Sequence, residues 1–388
     1  MRFPFFLTTL EGIEDILIAE LKRTFRIHGV VVDRGIVGCT ASADTVFLLN
    51  YKLKSCLRIV ICLHQGVFDD LSDLYEQVKQ VPWHEYIGSR QSFAIDCDRK
   101  GGHADTSLDM ARSAGQAVVD RFKQAKKKAA KVDLENPAVR VFLQVIDDRF
   151  YIGLDTTGET LNRRGYKEYI HRAGLNPLLG YALLEISGWR KNKSLHDPFC
   201  GAGTILIEAY RRALQIPNLE REKTFACWKL RLCDRKLFKE QVRQVKEELS
   251  ITYKRYGIGQ GRRENDVGRN PRKKGIRLCG SDISVRHVEG ARLNMQASGV
   301  PATVECADAV KVRYKSDFIV TNPPFGMRLG SKAKVHRTLR RFKRNVLRDK
   351  AVWENVTFLT LTPQLFRGFR FRKSVVYGPV QAFIMRYR

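Results

Sequence analysis

The chain has 388 residues, of which 44% are hydrophobic, and its 69 lysines and arginines against 41 aspartates and glutamates give a formal charge of +28. A chain of this length and apolar content can bury a large core, which excludes global disorder and predicts two or three domains. The net charge attracts polyanions, so a nucleic acid is the first candidate partner and an anionic membrane surface the second.

Simple sequence features argue against several other classes of protein. No apolar run approaches the roughly 20 residues that span a bilayer, and the apolar stretch at the start is too short for a secretory leader. The nine cysteines form no CxxC pair and no cysteine–histidine cluster at zinc spacing, so we expect reduced, buried cysteines and no metal. We therefore expect a cytoplasmic protein with no membrane partner, either a monomer or a weak dimer.

The N-terminal third mixes short strands with amphipathic helices. Thr9 is predicted to cap the first helix, whose apolar positions recur at helical spacing from Ile13 to Leu21. A longer helix is predicted over residues 107–130, before a strand at 139–146. Helices and antiparallel strands mixed in this way are typical of small α+β units.

The pattern changes near residue 175. Asn176 and Pro177 are typical of an N-cap and a first helical position, and Gly188 of a helix end. After this helix, short apolar strands with polar ends alternate with helices, which predicts an α/β fold with a parallel, doubly wound sheet. The predicted strands lie at residues 194–197, 276–282, 303–308, 317–322, 356–361, 374–377 and 381–387.

An insertion of 60 residues, at about 216–275, separates the first two of these strands. Its end, residues 254–275, is rich in glycine, arginine and lysine and has almost no apolar side chains. Because such a segment cannot bury enough apolar surface to order itself, it is predicted to be a flexible basic loop.

A glycine-rich turn, DPFCGAGT at residues 197–204, follows the first of the parallel strands. Glycines allow a ligand to approach the backbone closely, and the helix that begins there offers free amide groups. The spacing is neither that of a dinucleotide-binding turn nor that of a phosphate-binding loop, so the turn alone is a weak signal.

Two acidic residues at the ends of the next strands strengthen that signal. Asp282 follows the second strand and Asp308 the third. In a doubly wound sheet, ligands bind beyond the carboxyl ends of the strands, at the topological switch. One carboxylate there can accept the ribose hydroxyls and the other an adenine amine, so the pair favours an adenosine-bearing ligand.

The fourth strand ends in the tetrapeptide Asn322-Pro323-Pro324-Phe325. Two prolines fix the backbone, so that a carbonyl oxygen and the Asn322 side chain can both accept hydrogen bonds from one exocyclic amine. Phe325 offers a flat face for the attached base. Two acceptors on an amine localise its otherwise delocalised lone pair, which is a form of electrostatic preorganisation.

The glycine turn together with Asn-Pro-Pro-Phe resembles the class I S-adenosylmethionine methyltransferases that modify exocyclic amines. Within that class, the chain is most similar to the THUMP-containing RNA guanine-N2 methyltransferases. Three further segments carry this resemblance, at residues 12–14, 154–166 and 225–228.

The resemblance implies three domains. A ferredoxin-like domain is expected at residues 1–62 and a THUMP RNA-binding domain at 63–160, followed by a linker at 161–175. A Rossmann-like methyltransferase domain with a seven-stranded, mostly parallel sheet is expected at 176–388.

The resemblance also assigns roles to residues. It implies that Asn322, Pro323, Pro324 and Phe325 are catalytic and bind the target base, although relatives often have tyrosine at the Phe325 position. It implies that S-adenosylmethionine contacts a set at the strand ends, namely Asp197, Phe199, Gly201, Gly203, Thr204, Asp282, Ile283, Asp308, Ala309 and Asn322.

Basic residues cluster after the Asn-Pro-Pro-Phe motif with almost no compensating acids. Because the clusters are uncompensated, we expect them to contact an RNA backbone. In the later cluster, Phe366, Phe369 and Phe371 alternate with the basic residues. The candidate RNA-binding residues are Lys332, Lys334, Arg337, Arg340, Arg341, Arg344, Arg370 and Arg372.

These observations favour methylation of guanine N2 in structured RNA, with ribosomal RNA slightly preferred over transfer RNA because of residues 225–228. The alternatives are an adenine-N6 methyltransferase acting on nucleic acid, and a non-catalytic RNA-binding or assembly factor that keeps the fold. Methylation of a protein glutamine also fits the Asn-Pro-Pro motif but leaves the +28 charge unexplained.

Overall fold

A computed structural model of the chain describes residues 2–127, 129–171, 174–218, 224–256, 275–325, 332–348, 355–378 and 380–387. No helix within these ranges is both long and apolar enough to cross a membrane.

The chain divides into two compact units. The first consists of Met1–Thr9, Leu17–Leu161 and Arg221–Arg243. The second consists of Leu10–Ile16, Asn162–Glu220 and Gln244–Arg388.

The part of the chain before residue 160 forms a mixed α+β structure. Its helices are α1 (Glu14–Phe25), α2 (Val46–Lys52), α3 (Leu71–Lys79), α4 (Trp83–Tyr86) and α5 (Ser107–Lys126). Its strands are β1 (Arg2–Thr8), β2 (Gly29–Asp33), β3 (Ile36–Ser42), β4 (Arg58–Val67), β5 (Ser92–Lys100), β6 (Lys131–Val132), β7 (Val139–Ile146) and β8 (Arg149–Asp155).

In the described residues these eight strands form one sheet, in the order β2-β3-β1-β4-β8-β7-β5-β6. The pairs of β5 with β6 and with β7 are parallel, and the others are antiparallel. Strand β4 crosses residues 62 and 63, where the sequence predicts a domain boundary. One sheet therefore spans the two predicted N-terminal domains.

The predicted cap of the first helix is wrong. The Thr9 hydroxyl donates to the buried carbonyl of Ser55 at 2.7 Å, and α1 begins only at Glu14. The Glu14 carboxylate instead accepts from the backbone N–H of Gly12 at 3.0 Å. Threonine is a favoured residue type for a helix cap, but the Thr9 hydroxyl bonds to Ser55, which is 46 positions away in the sequence.

Part of the insertion packs in the first unit through aromatic side chains. The ring of Phe47 on α2 lies 5.9 Å from that of Phe225, 5.5 Å from Trp228 and 5.2 Å from Phe238. The backbone N–H of Cys227 also donates to Thr156 at 2.9 Å. The 225–228 segment, which the sequence analysis associated with ribosomal RNA, thus has a structural role in its own unit.

The later part of the chain alternates strands and helices. Its helices are α6 (Pro177–Ser187), α7 (Thr204–Ala213), α8 (Arg235–Tyr256), α9 (Val285–Ala297) and α10 (Lys332–Val346). Its strands are β9 (Leu195–Asp197), β10 (Leu278–Asp282), β11 (Thr303–Cys306), β12 (Phe318–Thr321), β13 (Val356–Thr360), β14 (Arg370–Tyr377) and β15 (Val380–Arg386).

Helix α8 extends to Tyr256 and so includes the first three residues of the segment predicted to be a basic loop from residue 254. Residues 257–274 of that segment lie outside the described ranges. The capped ends predicted for α6 are confirmed, because the Asn176 side chain accepts from Leu178 and Gly188 adopts the left-handed conformation.

The second unit contains the predicted parallel sheet. Seven strands of the described residues pair in the order β11-β10-β9-β12-β13-β15-β14. The first five are parallel to their neighbours, and β15 runs antiparallel to both β13 and β14. The chain moves outward from β9 to β11 and then returns to β12 on the other side of β9. The topological switch therefore lies between the carboxyl ends of β9 and β12, where α/β sheets bind their ligands.

Candidate cofactor and base-binding site

The glycine turn joins β9 to α7 at the topological switch. Gly201 and Gly203 have φ values of 51° and 78°, in the left-handed region that glycine enters without strain. A Cβ on Gly203 would lie 3.0 Å from the side chain of Met295 and 3.4 Å from that of Ala291. Apart from Gly201 itself and its two chain neighbours, no atom of the described residues lies within 4 Å of a Cβ built on Gly201. The turn is thus packed against α9 on one side and open to a ligand at Gly201.

Asp197, at the end of β9, is a buried carboxyl group with 1% exposure. Its Oδ1 accepts from the Thr321 hydroxyl at 2.6 Å and from the backbone N–H of Phe199 at 3.3 Å. Burial raises the pKa of Asp197 to about 7, and the two hydrogen bonds oppose this shift. A cationic ligand group beside it would favour the ionised form, so the site suits a positively charged ligand.

Asp282, at the end of β10, links that strand to the glycine turn. Its Oδ2 accepts from the backbone N–H of Gly201 at 3.0 Å. Its Oδ1 accepts from the N–H of Ser284 at 3.0 Å and lies 3.2 Å from Nδ1 of His287. A carboxylate has about four acceptor positions, so capacity for a ligand hydroxyl remains. The next residue, Ile283, is 72% exposed and can offer an apolar surface there.

The third acidic residue lies in a turn after β11. Oδ1 of Asp308 accepts from the N–H of Val310 at 3.1 Å. Ala309 is buried in the core at 4% exposure, and its carbonyl accepts from the Tyr314 hydroxyl and from the Asn345 side chain. Asp308 is therefore held at the same edge of the sheet as Asp282, whereas Ala309 mainly packs in the core.

The Asn-Pro-Pro-Phe segment begins directly after the buried strand β12. Within the described residues, Oδ1 of Asn322 is buried and has no hydrogen-bond partner. A buried acceptor without a donor costs about 1–3 kcal/mol, so such groups call for an explanation. Pro323 is buried and Phe325 half-buried, and both prolines lack an N–H that could satisfy the oxygen. The segment therefore holds an acceptor available to a donor from outside the chain.

Phe199 and Thr204, the other predicted cofactor residues of the turn, pack inward. The Phe199 ring lies 5.1 Å from that of Phe342 on α10, at an interplanar angle of 77°. Thr204 is 3% exposed at the start of α7. The side chains of both residues support the turn, so any ligand contact there is more readily made by backbone groups.

Helix α10 has one apolar and one basic face. Its buried residues include Val335, Leu339 and Phe342. On the other side lies a surface that we call the arginine face, consisting of the exposed residues Arg337, Arg340, Arg341 and Arg344.

The arginine face is uncompensated and slightly concave. A shallow depression of about 470 Å³ is lined by Arg337, Arg340, Arg344, His336 and Ala333. Within the described residues, no carboxylate lies within 4 Å of these arginines. Such a surface suits a phosphate backbone.

The other predicted RNA-binding residues have more varied surroundings. Lys334, Arg370 and Arg372 are exposed, whereas the side chain of Lys332 lies outside the described part. Of the aromatic residues that alternate with the basic ones, Phe366 and Phe369 are core residues with 1% and 8% exposure, and Phe371 is 57% exposed. The alternation there mainly reflects packing, not a row of base-stacking rings.

Residues on α9 and in the segment before α6 brace the site and were not predicted from the sequence. His287 contacts Asp282, and Asn294 bonds to both Tyr169 and Ala202. Their seven-residue spacing places His287 and Asn294 on one face of α9, which is the one signal the sequence offers. Tyr169 is 125 positions from its partner, and no local pattern reveals that contact.

The 154–166 segment, which carried the resemblance, ends in a buried polar network. The Tyr166 hydroxyl donates to Oε1 of Glu208 on α7 at 2.9 Å. Nε of Arg164 lies 3.3 Å from the same oxygen, and the side chains of Arg164 and Glu208 are each 1% exposed. Burial and the neighbouring Glu208 raise the pKa of Tyr166, so its hydroxyl stays protonated as the donor. These residues anchor α7, the helix that the glycine turn begins.

The site fits an adenosine-bearing, positively charged ligand better than a metal ion. The Asp197 carboxyl suits a cationic chain, and the remaining acceptor of Asp282 suits a ribose diol. The backbone at Gly201 is open to the close approach of such a ligand. Nowhere in the described ranges do three or more histidine, cysteine, aspartate or glutamate side chains group in a way that could hold a metal.

Two family profiles match the chain. A THUMP domain matches residues 68–155, and an RMKL-like methyltransferase domain matches residues 164–361. The tRNA (guanine(6)-N2)-methyltransferase of Methanocaldococcus jannaschii is 31% identical over 341 residues, covering 85% of this chain and 83% of that protein. The ribosomal RNA large subunit methyltransferase K/L of Shewanella baltica is 29% identical over 336 residues, covering 84% of this chain and 44% of its relative.

The fold also matches solved structures over the whole chain. The protein SMU.472, solved in complex with SAH, superimposes with a TM-score of 0.80 at 20% identity, covering 100% of this chain and 98% of that one. This likeness shows the fold, a class I methyltransferase sheet preceded by an α+β unit. The methyltransferase profile, which matches more than half of the chain, and the 31% identical relative show that the chain belongs to the RMKL-like methyltransferase family, with a THUMP domain ahead of the methyltransferase domain.

Proposed function

We propose that this protein transfers a methyl group from S-adenosylmethionine to the exocyclic N2 amine of a guanine in structured RNA. The observation that carries the proposal is the buried, unpartnered Oδ1 of Asn322 at the end of β12. Asn322 directly follows β12, the strand next to β9, and the glycine turn begins at the end of β9. An acceptor held at this position suits a substrate that brings N–H donors to the methyl donor.

S-adenosylmethionine is the cofactor of this family, and when bound it supplies an electrophilic methyl group. Asp197 would bind its positively charged methionine portion, and that positive charge would favour the ionised carboxylate against the effect of burial. Asp282 would accept the ribose hydroxyls, and Asp308 the adenine amine. Gly201 would allow the close backbone approach that a side chain would prevent.

Asn322 and the Pro323 carbonyl would together accept both hydrogens of the guanine amine. The lone pair of that amine is delocalised into the base, so the free group is a poor nucleophile. Two fixed acceptors draw the hydrogens into one geometry and localise the lone pair, with no reorganisation at the moment of reaction. Transfer then depends mainly on alignment of the reacting atoms, not on a strong base.

Phe325 would stack on the target base, which must leave its helix to reach the site. The arginine face begins 12 residues later in the chain, on α10, and would hold the phosphates near the extruded nucleotide. Three further predicted RNA-binding residues that are exposed, Lys334, Arg370 and Arg372, would extend that contact.

The substrate assignment is supported by the relatives. The M. jannaschii protein is named for guanine N2 in tRNA, whereas the S. baltica protein is named for large-subunit ribosomal RNA. The ribosomal preference in the sequence analysis stays a prediction, since residues 225–228 on which it depends pack in the first unit. Transfer RNA and ribosomal RNA are therefore tested side by side.

The test is methylation of both RNA classes from a strain that lacks this gene. Purified protein is incubated with methyl-labelled S-adenosylmethionine, and the labelled nucleosides are identified by mass spectrometry. We expect N2-methylguanosine from one RNA class and none with Asn322→Ala. Label in N6-methyladenosine would instead support the adenine alternative, and label in neither nucleoside, with intact cofactor binding, would support a non-catalytic RNA-binding factor.

A further inference from the structure

Asn294 is a fully buried amide on α9, with 0% exposure, that bonds to two segments distant in sequence. Its Oδ1 accepts from the backbone N–H of Tyr169 at 2.8 Å, and its Nδ2 donates to the Tyr169 carbonyl at 3.0 Å. The same Nδ2 donates to the carbonyl of Ala202 at 3.0 Å. Ala202 lies between the two glycines of the turn, so one side chain joins the segment before α6 to the glycine turn.

Two further contacts hold that segment on the same face of α9. The Tyr169 ring lies directly over Gly290, where a Cβ would come within 2.1 Å of a ring atom. The His171 ring lies 4.6 Å from that of His287, which contacts Asp282. Three successive turns of α9 thus bind residues 169–171, a segment that we call the strap.

The glycine turn needs such external support. Both glycines adopt left-handed backbone conformations, and glycine has more conformational freedom than any other residue. The N–H of the Ala202–Gly203 peptide donates to the Cys200 carbonyl at 2.8 Å, and the Ala202 carbonyl needs a second partner to fix the orientation of that peptide. Asn294 gives that carbonyl a fixed donor inside the core, where leaving it without a partner is unfavourable.

We propose that Asn294 is a positioning residue for cofactor binding. Its amide fixes the Ala202 carbonyl and the strap together, so the turn that receives S-adenosylmethionine is set before the cofactor arrives. This inference rests on the cofactor of the proposed function but not on the identity of the methylated base. It predicts that loss of Asn294 weakens cofactor binding through the backbone of the turn, without any direct contact to the ligand.

The test compares Asn294→Ala and Asn294→Asp with wild type. The aspartate keeps the size and the acceptor but loses both donated hydrogen bonds. Binding of S-adenosylmethionine is measured by calorimetry without RNA, and amide hydrogen exchange is followed in the peptide that contains residues 201–204. We expect dissociation constants at least about tenfold higher, or about 1.4 kcal/mol, and faster exchange in that peptide. RNA affinity should stay within about twofold.

Asn50→Ala is the matched control. Asn50 is equally buried, at 0% exposure, and donates to Val46 at 3.0 Å and to Thr156 at 2.9 Å in the first unit. This variant should lose similar structural hydrogen bonds and keep cofactor affinity within about twofold. If it weakens cofactor binding as much as Asn294→Ala does, the effect is general destabilisation and the inference is overturned.

Gly290→Ala tests the role of the strap in cofactor binding independently of Asn294. It also provides the test if Asn294→Ala does not fold. It leaves Asn294 in place but displaces the Tyr169 ring, so we expect weaker cofactor binding here as well. Wild-type affinity in both Gly290→Ala and Asn294→Asp would overturn the proposal. A wild-type protein that binds the cofactor but forms no N2-methylguanosine would refute the proposed function and leave this inference standing.

Discussion

The glycine-turn side and the Asn-Pro-Pro-Phe side of the candidate site differ in how their polar groups are satisfied. On the turn side, Asp197 and Asp282 both accept hydrogen bonds from the chain itself. On the other side, Oδ1 of Asn322 has no partner within the described residues. We infer that hydrogen bonds within the chain preorganise the cofactor side, whereas the acceptor on the base side gains a donor only when the substrate binds. Substitutions on the turn side should therefore change cofactor affinity, and those at Asn322 the rate.

The largest effect is expected from Asn322→Ala. Removing one preorganised hydrogen-bond partner of a reacting group lowers kcat by about 10²–10³. The variant should bind S-adenosylmethionine within about twofold of wild type, because the turn side is intact. Single-turnover rates and calorimetry on the same preparation measure both quantities.

Asn176→Ala is a suitable control for that variant. Asn176 caps α6 by accepting from the N–H of Leu178 at 3.0 Å, so its loss should cost about 1 kcal/mol of stability and leave the rate unchanged. If Asn322→Ala retained more than a third of the wild-type rate, the orphaned acceptor would have no part in the reaction.

The next effect concerns pH and Asp197. Burial raises the pKa of this carboxyl to about 7, so below that pH it is mostly protonated and neutral in the free protein. Because a cationic cofactor needs the ionised form, its dissociation constant should rise about tenfold for each pH unit below 7. Asp197→Asn should bind weakly at every pH and lose this dependence. The pKa of His196 is lowered by burial to about 4, so this neighbour stays neutral over the same range.

Raising the pH should strengthen cofactor binding through Asp197 but lower the contribution of this residue to the free energy of unfolding. The folded protein binds this proton more tightly than the unfolded chain, whose carboxyl has an ordinary pKa of 3.8. The contribution to stability is therefore complete below about pH 3.8 and is lost as the pH rises through 7. Denaturant titrations at pH 6 and 8 measure the free energy of unfolding. The stability of the Asp197→Asn variant relative to wild type should be greater at pH 8 than at pH 6. An equal difference at both pH values would argue against the raised pKa.

A smaller effect is expected from the arginine face, which lies outside both sides of the site. Replacing Arg337, Arg340 and Arg344 by glutamine should weaken RNA binding about tenfold and reduce the slope of log K against log salt by about 2–3. Cofactor affinity should not change. Arg243→Gln is the control, because that guanidinium already pairs with Glu240 at 2.6 Å. An unchanged salt slope in the triple variant would place the RNA elsewhere.

The smallest effect is expected from Phe325→Tyr. Both rings can stack on a base, so activity should stay within about threefold of wild type. Phe325→Leu keeps an apolar side chain but loses the flat face, and stacking contributes about 1–3 kcal/mol per base. The leucine variant should therefore raise the KM for RNA by about tenfold. If the tyrosine and leucine variants lost activity equally, an aromatic ring would not be sufficient at this position, and stacking would not explain the requirement for Phe325.

The parallel sheet could be predicted because its signals are local. Strands β12 and β13 are short apolar runs, and Asp197, Asp282 and Asn322 mark the strand ends that meet at the topological switch. The seven-stranded, mostly parallel sheet is confirmed. The spacing of acidic residues is enough to suggest one binding edge, since parallel strands bring their carboxyl ends together.

The supports of the site could not be predicted, because they depend on contacts between distant residues. In the sequence, Asn294 has no feature that separates it from other helix residues. Only the fold shows that its side chain bonds to Tyr169. Thr9 has the right residue type for a cap, yet its hydroxyl bonds to Ser55. Phe369 lies among arginines in the sequence but inside the core in the fold. Composition shows which groups are available, whereas tertiary packing decides which of them face a ligand.

The central claim is that Asn322 and its neighbouring carbonyl hold an exocyclic base amine, and one substitution in the RNA tests it directly. Once the methylated nucleotide is mapped, it is replaced by inosine, whose base lacks the N2 amine and otherwise keeps the shape of guanine. We predict that this RNA binds within about threefold of the guanosine substrate, inhibits it competitively and receives no methyl group. Methyl transfer to the inosine-containing RNA at the wild-type rate would contradict the account.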